Sequence, residues 1–263
     1  MLVLMLLSGL SLILYPTLSN YWNSFHQSRV VASYTDRVEQ LDLTAYENLR
    51  QEAEFYNQSL LAKANPFWMN ETELNRYHSL LRIEENSVMG SIEIPVIDIK
   101  LPIYHGTSET VLQVGVGHVE GTSLPIGGPS THSVLSGHSG LPSALLFTNL
   151  DRVSVGDRFV IHILNEKLSY EVDRITIVEP SEISELRIVP EQDLCTLVTC
   201  TPYGINTHRL LVRGHRVENE KVVENRTIQS NARIVDQKLV FAILCAVPLA
   251  FWLTGSAFRM KKR

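Results

Sequence analysis

The sequence predicts a mainly β domain, either a closed sheet or a sandwich, that follows a helical extension and is flanked by apolar segments. Three observations support this prediction. About seven short stretches rich in Val, Ile and Thr are separated by Gly, Pro, Asn and Asp over about 130 residues, which is typical of strands and turns. Apolar side chains recur at helical spacing before these stretches. An apolar run lies near each terminus.

The predicted strands alternate with turn residues throughout residues 88–217. They cover residues 91–94, 97–103, 133–135, 158–164, 168–177, 194–199 and 209–217. With 263 residues, 44% of them hydrophobic, the chain has enough material for one globular domain with membrane attachments.

The helical extension is assigned to residues 19–87. Within it, residues 34–64 place apolar side chains three and four positions apart on one face, which must pack against another part of the protein. This face consists of Leu49, Ala53, Tyr56 and Leu60.

A second, shorter helix is predicted over residues 72–81. Pro66 interrupts the preceding helical pattern, and either Asn70 or Thr72 can begin the new helix. Glu73 then lies in its first turn, where a carboxylate is favourable.

The apolar runs predict membrane attachment. Residues 239–258 carry no charged side chain, and a run of this length is what a helix needs to cross a bilayer. Residues 259–263 form a basic tail, with four of the five side chains positively charged. Under the positive-inside rule the tail stays in the cytoplasm and the β domain lies outside, joined through a polar connector, residues 218–238. Residues 1–18 are interpreted as either a short spanning helix or the apolar region of a signal peptide, and both start export.

Composition excludes several function classes. A net charge of −5 offers no basic surface for nucleic acid. The cysteines at positions 195, 200 and 245 form no disulfide framework, and without a CxxC spacing they do not predict a metal site. We therefore expect neither a metal nor another cofactor.

Three residues of the β region have the properties that thiol acyl transfer needs. Cys200 closes the run TLVTC and provides a nucleophile once it is deprotonated. His138, in the run SGHSG, can carry a proton near neutral pH. Arg209 is permanently charged and can stabilise an oxyanion. Strand alternation puts Arg213 on the same face as Arg209, so spacing alone does not choose between them.

Two motifs resemble those of the sortases, specifically the class C, pilus-assembling branch. They are residues 196–214 (TLVTCTPYGINTHRLLVRG) and residues 135–140 (LSGHSG), and residues 15–23 and the second apolar segment also fit. The resemblance implies that Cys200, His138 and Arg209 are catalytic, which decides against Arg213. We assign substrate binding to Thr199 and Ser136, which lie within the same motifs.

The same resemblance implies a fold, a location and a reaction. The fold is an eight-stranded sortase β-barrel on the outer face of a Gram-positive cell membrane. The enzyme would cleave an LPXTG-like sorting signal between Thr and Gly and hold the product as a thioester on Cys200. A lysine amine of a pilin subunit would then attack, leaving an isopeptide bond.

Class C sortases usually carry a lid with an Asp-Pro-aromatic tripeptide, and this chain has Asn65, Pro66, Phe67 and Trp68 in the corresponding place, within residues 62–72. We expect Asn65 to accept a hydrogen bond from Arg209 without contributing a negative charge, so the lid should be held more weakly. Phe67 is expected to cap Cys200, and Trp68 to add to this cover or to pack on the barrel.

Other interpretations of the sequence are open. Cys200 could be a core residue of a membrane-tethered β domain with no reaction. Cys195 and Cys200 could form a redox pair, although five positions apart on one strand they point to opposite faces. Within the sortases, a housekeeping enzyme that anchors surface proteins to peptidoglycan is the nearer alternative, against which the helical extension and the second apolar segment argue.

Overall fold

Eight strands close into a barrel in the computed structural model, which describes residues 2–83 and 87–219. The strands are β1 Val88–Ile94, β2 Ile99–His105, β3 Val116–His118, β4 Thr131–Ser136, β5 Arg158–Ile163, β6 Glu166–Val178, β7 Asp193–Thr201 and β8 His208–Val217. Around the barrel they follow the order β1-β2-β3-β4-β7-β8-β6-β5. The predicted mainly β, closed architecture is confirmed.

All seven predicted strands are present, and β3 is the one that sequence reasoning missed. It is only three residues long and has Gly117 at its centre, so it carries no alternating apolar pattern. It nevertheless completes the barrel, because it pairs in parallel with β2 and antiparallel with β4.

Four helices accompany the barrel: α1 Leu2–Glu39, α2 Leu43–Leu60, α3 Glu71–Ser79 and α4 Glu109–Leu112. The predicted helical segment 34–64 is divided near Asp42, whose side chain accepts a hydrogen bond from the backbone of Ala45 and caps α2. The predicted second helix begins at Asn70, which forms a capping box with Glu73.

Helix α1 is continuous across the expected boundary at residue 18 and passes through Pro16. Among the described residues, no helix combines the length and the apolar character that crossing a bilayer requires. The structure therefore does not support a spanning helix within residues 1–18. The predicted connector, membrane helix and basic tail, residues 218–263, fall outside the described residues apart from 218 and 219.

The helices pack on the barrel through narrow buried stripes. On α1 the buried side chains lie three and four positions apart, as expected for one helical face, and are Gln27, Val31, Tyr34 and Val38. On α2 the predicted face is confirmed, with Ala53, Tyr56 and Leu60 buried. Asn57 adds a double contact, because its amide donates to Leu124 O and accepts from Leu124 N.

His118 on β3 is fully buried between α3 and the β3–β4 connection. Its Nε2 lies 2.8 Å from Ser123 O and its Nδ1 lies 2.9 Å from the Tyr77 hydroxyl. Burial lowers the pKa of His118 to about 4, because the charged imidazolium loses its hydration. The ring is therefore neutral near pH 7, with Nε2–H donating to Ser123 O.

We expect the free energy of unfolding to fall as the pH drops from about 6.5 to about 4. The pKa of His118 is lower in the folded state than in the unfolded state, so the unfolded chain binds more protons over this window. The loss from this residue is at most about 3 kcal/mol. Burial also lowers the pKa values of His105 and His132, with the same sign.

Denaturant unfolding at pH 7 and pH 4.5 measures this loss. His118→Gln keeps polar atoms at the position but removes the titration, so its two unfolding free energies should differ less than those of the unsubstituted protein. An equal difference in both proteins would contradict the role assigned to His118.

Candidate active site

Cys200 lies one residue before the end of β7, where the barrel wall meets the β7–β8 loop. Its Cα partner on the antiparallel strand β8 is Arg209. Directly opposed residues of an antiparallel pair project from the same face of the sheet, about 5 Å apart at Cβ. The thiol and the guanidinium are thus neighbours through strand register, although nine positions separate them in the chain.

His138 reaches the same place from the other side of β7. Strand β4 runs parallel to β7 with Ser136 level with Val198, and the N–H of Gly137 extends this ladder by donating to Val198 O at 3.0 Å. Continued by two positions from Ser136 and Val198, the same register brings His138 level with Cys200. Two pairings of a single strand therefore bring the three predicted catalytic residues together.

Thr199 ties the two chain segments to each other. Its side chain is buried, and its hydroxyl donates a 2.7 Å hydrogen bond to Gly137 O. Sequence reasoning assigned Thr199 to substrate binding, whereas its hydroxyl here holds the backbone that leads into His138. Ser136, the other residue predicted to bind substrate, is half-buried at the end of β4.

The imidazole of His138 has a buried nitrogen that lacks a hydrogen bond. Nε2 is shielded from solvent and has no hydrogen-bond partner among the described residues. The carboxylate of Glu109, on α4, lies 3.5 Å from it, beyond the usual range of an N–H···O bond. A buried unsatisfied nitrogen is rare in proteins, and a catalytic role is one explanation for it.

Sequence reasoning missed Glu109. It lies between β2 and β3, about thirty positions from His138, and belongs to neither motif. A lone glutamate at the start of a short helix is ordinarily a surface residue. Only the tertiary structure reveals its place beside the imidazole.

The structure separates Arg209 from Arg213, which strand alternation could not do. Arg213 lies opposite Thr196 and binds Asp173 through two hydrogen bonds of 2.9 and 3.0 Å. Arg209 donates only to backbone carbonyls, those of Asn206 and His208, within the described part of the chain. No carboxylate of the described residues therefore neutralises its charge, which suits it to bind an oxyanion.

The two cysteines of β7 differ in environment. Cys195 is completely buried in the core, and burial raises the pKa of its thiol well above the usual value. Cys200 is partly exposed, and both thiols are free. A buried protonated thiol is a poor nucleophile, and the separation of the two residues argues against the redox-pair interpretation.

Comparison with known proteins agrees with this arrangement. A sortase-domain family model matches residues 92–217. The chain is 52% identical to sortase C1 of Streptococcus agalactiae, whose crystal structure superposes with a TM-score of 0.71 over 73% of this chain and 100% of that one. This chain belongs to the sortase family. Sortases are cysteine transpeptidases, and the structural relatives are class C enzymes.

Other relatives span the family. A sortase C of Clostridium perfringens, solved with the C-terminal cell wall sorting motif, is 44% identical with a TM-score of 0.64, over 73% of this sortase and 100% of that chain. Sortase D of Bacillus subtilis is 28% identical over 56% of this chain and 73% of its own. Sortase A of Streptococcus agalactiae is 31% identical over 53% of this chain and only 56% of its own length.

The predicted lid segment of this sortase, residues 65–68, lies against the β3–β4 connection. A Cβ built on Gly121 would collide with Pro66 O and with the Cα of Phe67, so the glycine permits this close approach. The segment also lines a cavity of about 420 Å³ together with His132, Arg187 and Ile188.

Two expectations about the lid segment are not met. Within residues 2–83 and 87–219, Asn65 is not among the hydrogen-bond partners of Arg209, whose donors are directed at nearby carbonyls. A neutral amide gains little from a cation compared with a carboxylate, which explains the missing contact. Trp68 is 84% exposed, so its indole neither packs on the barrel nor covers Cys200. Phe67 is half-buried, but the cavity that it lines does not include Cys200, so the expected cap over the thiol stays a prediction.

We expect Thr199→Val to lower turnover and stability together, because the buried Gly137 carbonyl loses its donor. An unsatisfied buried carbonyl costs about 1 to 3 kcal/mol. Thr199→Ser keeps the hydroxyl and should retain most of the activity. Turnover of a sorting-signal peptide and urea unfolding measure the two effects, and equal behaviour of the two variants would refute the role given to this hydrogen bond.

Proposed function

We propose that this sortase joins pilin subunits, using Cys200 as nucleophile, His138 as proton carrier and Arg209 as oxyanion stabiliser. The observation that carries the proposal is the register of β7, which aligns Cys200 with Arg209 on β8 and with the His138 loop after β4. The unsatisfied, buried Nε2 of His138 supports its part in proton transfer.

In the first half-reaction the Cys200 thiol gives its proton to His138, and its sulfur attacks the threonine carbonyl of an LPXTG-like sorting signal. The carbonyl oxygen gains negative charge, which the guanidinium of Arg209 stabilises. The bond between Thr and Gly then breaks, and His138 gives a proton to the departing glycine amine. The threonine remains attached to Cys200 as a thioester.

In the second half-reaction a lysine amine of a pilin subunit attacks the thioester. Arg209 again stabilises the oxyanion, and His138 takes the proton that the amine loses. The C–S bond breaks, Cys200 is regenerated, and the two subunits are joined by an isopeptide bond. Water in place of the amine would give only hydrolysis, so access to the thioester decides the product.

Similarity to class C enzymes supports a pilin substrate over peptidoglycan. The structural relatives with 40–52% identity are sortases C, while the sortases A match at 31% identity or less. The sortase C of Clostridium perfringens solved with a sorting motif supports a substrate of this chemical class. The helical extension that carries residues 65–68 agrees with the same class.

We also propose that the catalytic domain lies on the outer face of a Gram-positive cell membrane. The charge-free run 239–258 and the basic residues that follow it support this placement.

We further propose that residues 65–68 form a lid, which restricts access to Cys200 until a pilin displaces it. Its support is the similarity to class C sortases, which usually carry a lid in the corresponding place. The packing of Pro66 and Phe67 against Gly121 holds the segment on the barrel, and the cavity that it lines does not include Cys200, His138 or Arg209. Because Asn65 makes no bond to Arg209, this lid is held mainly by packing, and it should open more readily than one closed by an ion pair.

We expect Cys200→Ala to abolish the covalent intermediate and pilin polymerisation. Mass spectrometry of the enzyme after mixing with a peptide containing Leu-Pro-x-Thr-Gly should find the added acyl mass on Cys200 of the unsubstituted protein and no added mass on the Cys200→Ala variant. Cys195→Ala is the matched control and should retain the intermediate, since Cys195 is buried in the core. An inactive Cys195 variant with an active Cys200 variant would mean that the wrong nucleophile is assigned.

The choice of acceptor is tested on the same intermediate. A lysine-bearing pilin should release the acyl group as an isopeptide-linked product, visible by mass. Release by an oligopeptide amine of peptidoglycan alone would instead favour the housekeeping function.

We expect Phe67→Ala to accelerate modification of Cys200 by a thiol reagent, because the lid segment loses its buried ring. Asn65→Asp should slow the same reaction, since a carboxylate can attract the guanidinium of Arg209. The modification rate measured with Cys195→Ala and Cys245→Ala together as background reports Cys200 alone, because the chain has three cysteines. Unchanged rates in both variants would remove these residues from the control of access.

A further inference from the structure

Helix α1 presents a row of three amide side chains to the barrel, here termed the amide face: Asn20, Asn23 and Gln27. Their spacing of three and four continues the buried stripe of the same helix. Each of the three amides binds a backbone group of a loop rather than solvent or the helix itself.

Asn20 and Asn23 hold the loop that carries His138. The Nδ2 of Asn23 donates to Ser143 O at 2.8 Å, and the Oδ1 of Asn20 accepts from the N–H of Leu145 at 2.9 Å. The backbone partner fixes which amide atom faces the loop in each case, because a carbonyl can only accept and an N–H can only donate.

The loop depends on such support because it is irregular. Residues 139–149 contain no helix or strand. At its base, Phe147 N donates to His138 O at 3.1 Å and Gly140 N donates to the Thr148 hydroxyl at 3.0 Å. These bonds close the base, whereas the far end, at Ser143 and Leu145, is held by α1.

Gln27 contacts the chain segment that follows α4. Its buried amide donates to Val114 O at 3.0 Å. Val114 follows α4, the short helix whose Glu109 carboxylate lies 3.5 Å from His138 Nε2. One face of one helix therefore contacts both chain segments that border the His138 ring.

We propose that the amide face of α1 positions His138 for proton transfer, so that Asn20, Asn23 and Gln27 are positioning residues of the sortase. This inference rests on the proposed role of His138 as the proton carrier. Small displacements of a catalytic group are costly, since a misplacement of about 1 Å can reduce the rate about a hundredfold. Asn20 and Asn23 fix the loop, and Gln27 fixes the segment after α4, by directional bonds that apolar packing alone would not supply.

The two asparagines allow a test with the same substitution at both positions. Asn23→Asp removes the N–H group that donates to Ser143 O and places a carboxylate oxygen next to that carbonyl oxygen, where the two acceptors repel each other. Asn20→Asp keeps an acceptor for the N–H of Leu145. Both variants add one negative charge within a single helical turn, so each is the charge control of the other.

In the full-length protein, kcat of Asn23→Asp for thioester formation should fall between about tenfold and a hundredfold, with KM changed by less than about twofold. Asn20→Asp should remain close to the unsubstituted protein. Hydrogen exchange of the amides of residues 139–147 should accelerate in Asn23→Asp and stay slow in Asn20→Asp.

Equal loss of kcat in both variants would assign the effect to the added charge and overturn the proposal. So would retention of full kcat in Asn23→Asp. If the unsubstituted protein forms no Cys200 thioester, the proposed function fails. Hydrogen exchange still decides whether the amide face orders the loop, and unchanged exchange in Asn23→Asp would overturn the positioning role independently.

Discussion

The pairing of β7 with its two neighbours is the constraint on which the site depends. Strand β7 runs parallel to β4 on one side and antiparallel to β8 on the other. A slip of one residue in either ladder would turn the paired side chain to the opposite face of the sheet. The barrel leaves these strands no free edge, so closure of the sheet and alignment of Cys200 with its partners are one event.

Much of this arrangement could be predicted from the sequence because the information is local. Short Val- and Ile-rich runs between turn residues predicted seven strands, and Asn70 or Thr72 with Glu73 predicted the start of α3, which the structure places after Asn70. The nucleophile was found from its motif, and the structure agrees with the choice of Cys200 over Cys195 because one thiol is accessible and the other is buried.

The features that escaped prediction all depend on distant chain segments. Strand β3 has no pattern of its own and is defined only by its neighbours. The choice of Arg209 over Arg213 required either the family resemblance or the structure, in which Arg213 forms an ion pair with Asp173. The position of Glu109 beside His138 could not be predicted either, nor could the contacts of Asn20 and Asn23. A sequence does not reveal which loop a helix face will contact. The expected Asn65–Arg209 contact was carried over from relatives with an aspartate.

The parallel β4–β7 ladder also affects the order of events during folding. Its partners are about sixty positions apart, and contacts of such large sequence separation form late because the intervening chain must first be organised. Thiol and imidazole therefore meet only when the barrel closes. In a chain whose barrel is still open, Cys200 lacks the neighbours that the two ladders of β7 supply. With the roles proposed for Cys200 and His138, reactivity would therefore arrive together with the native topology.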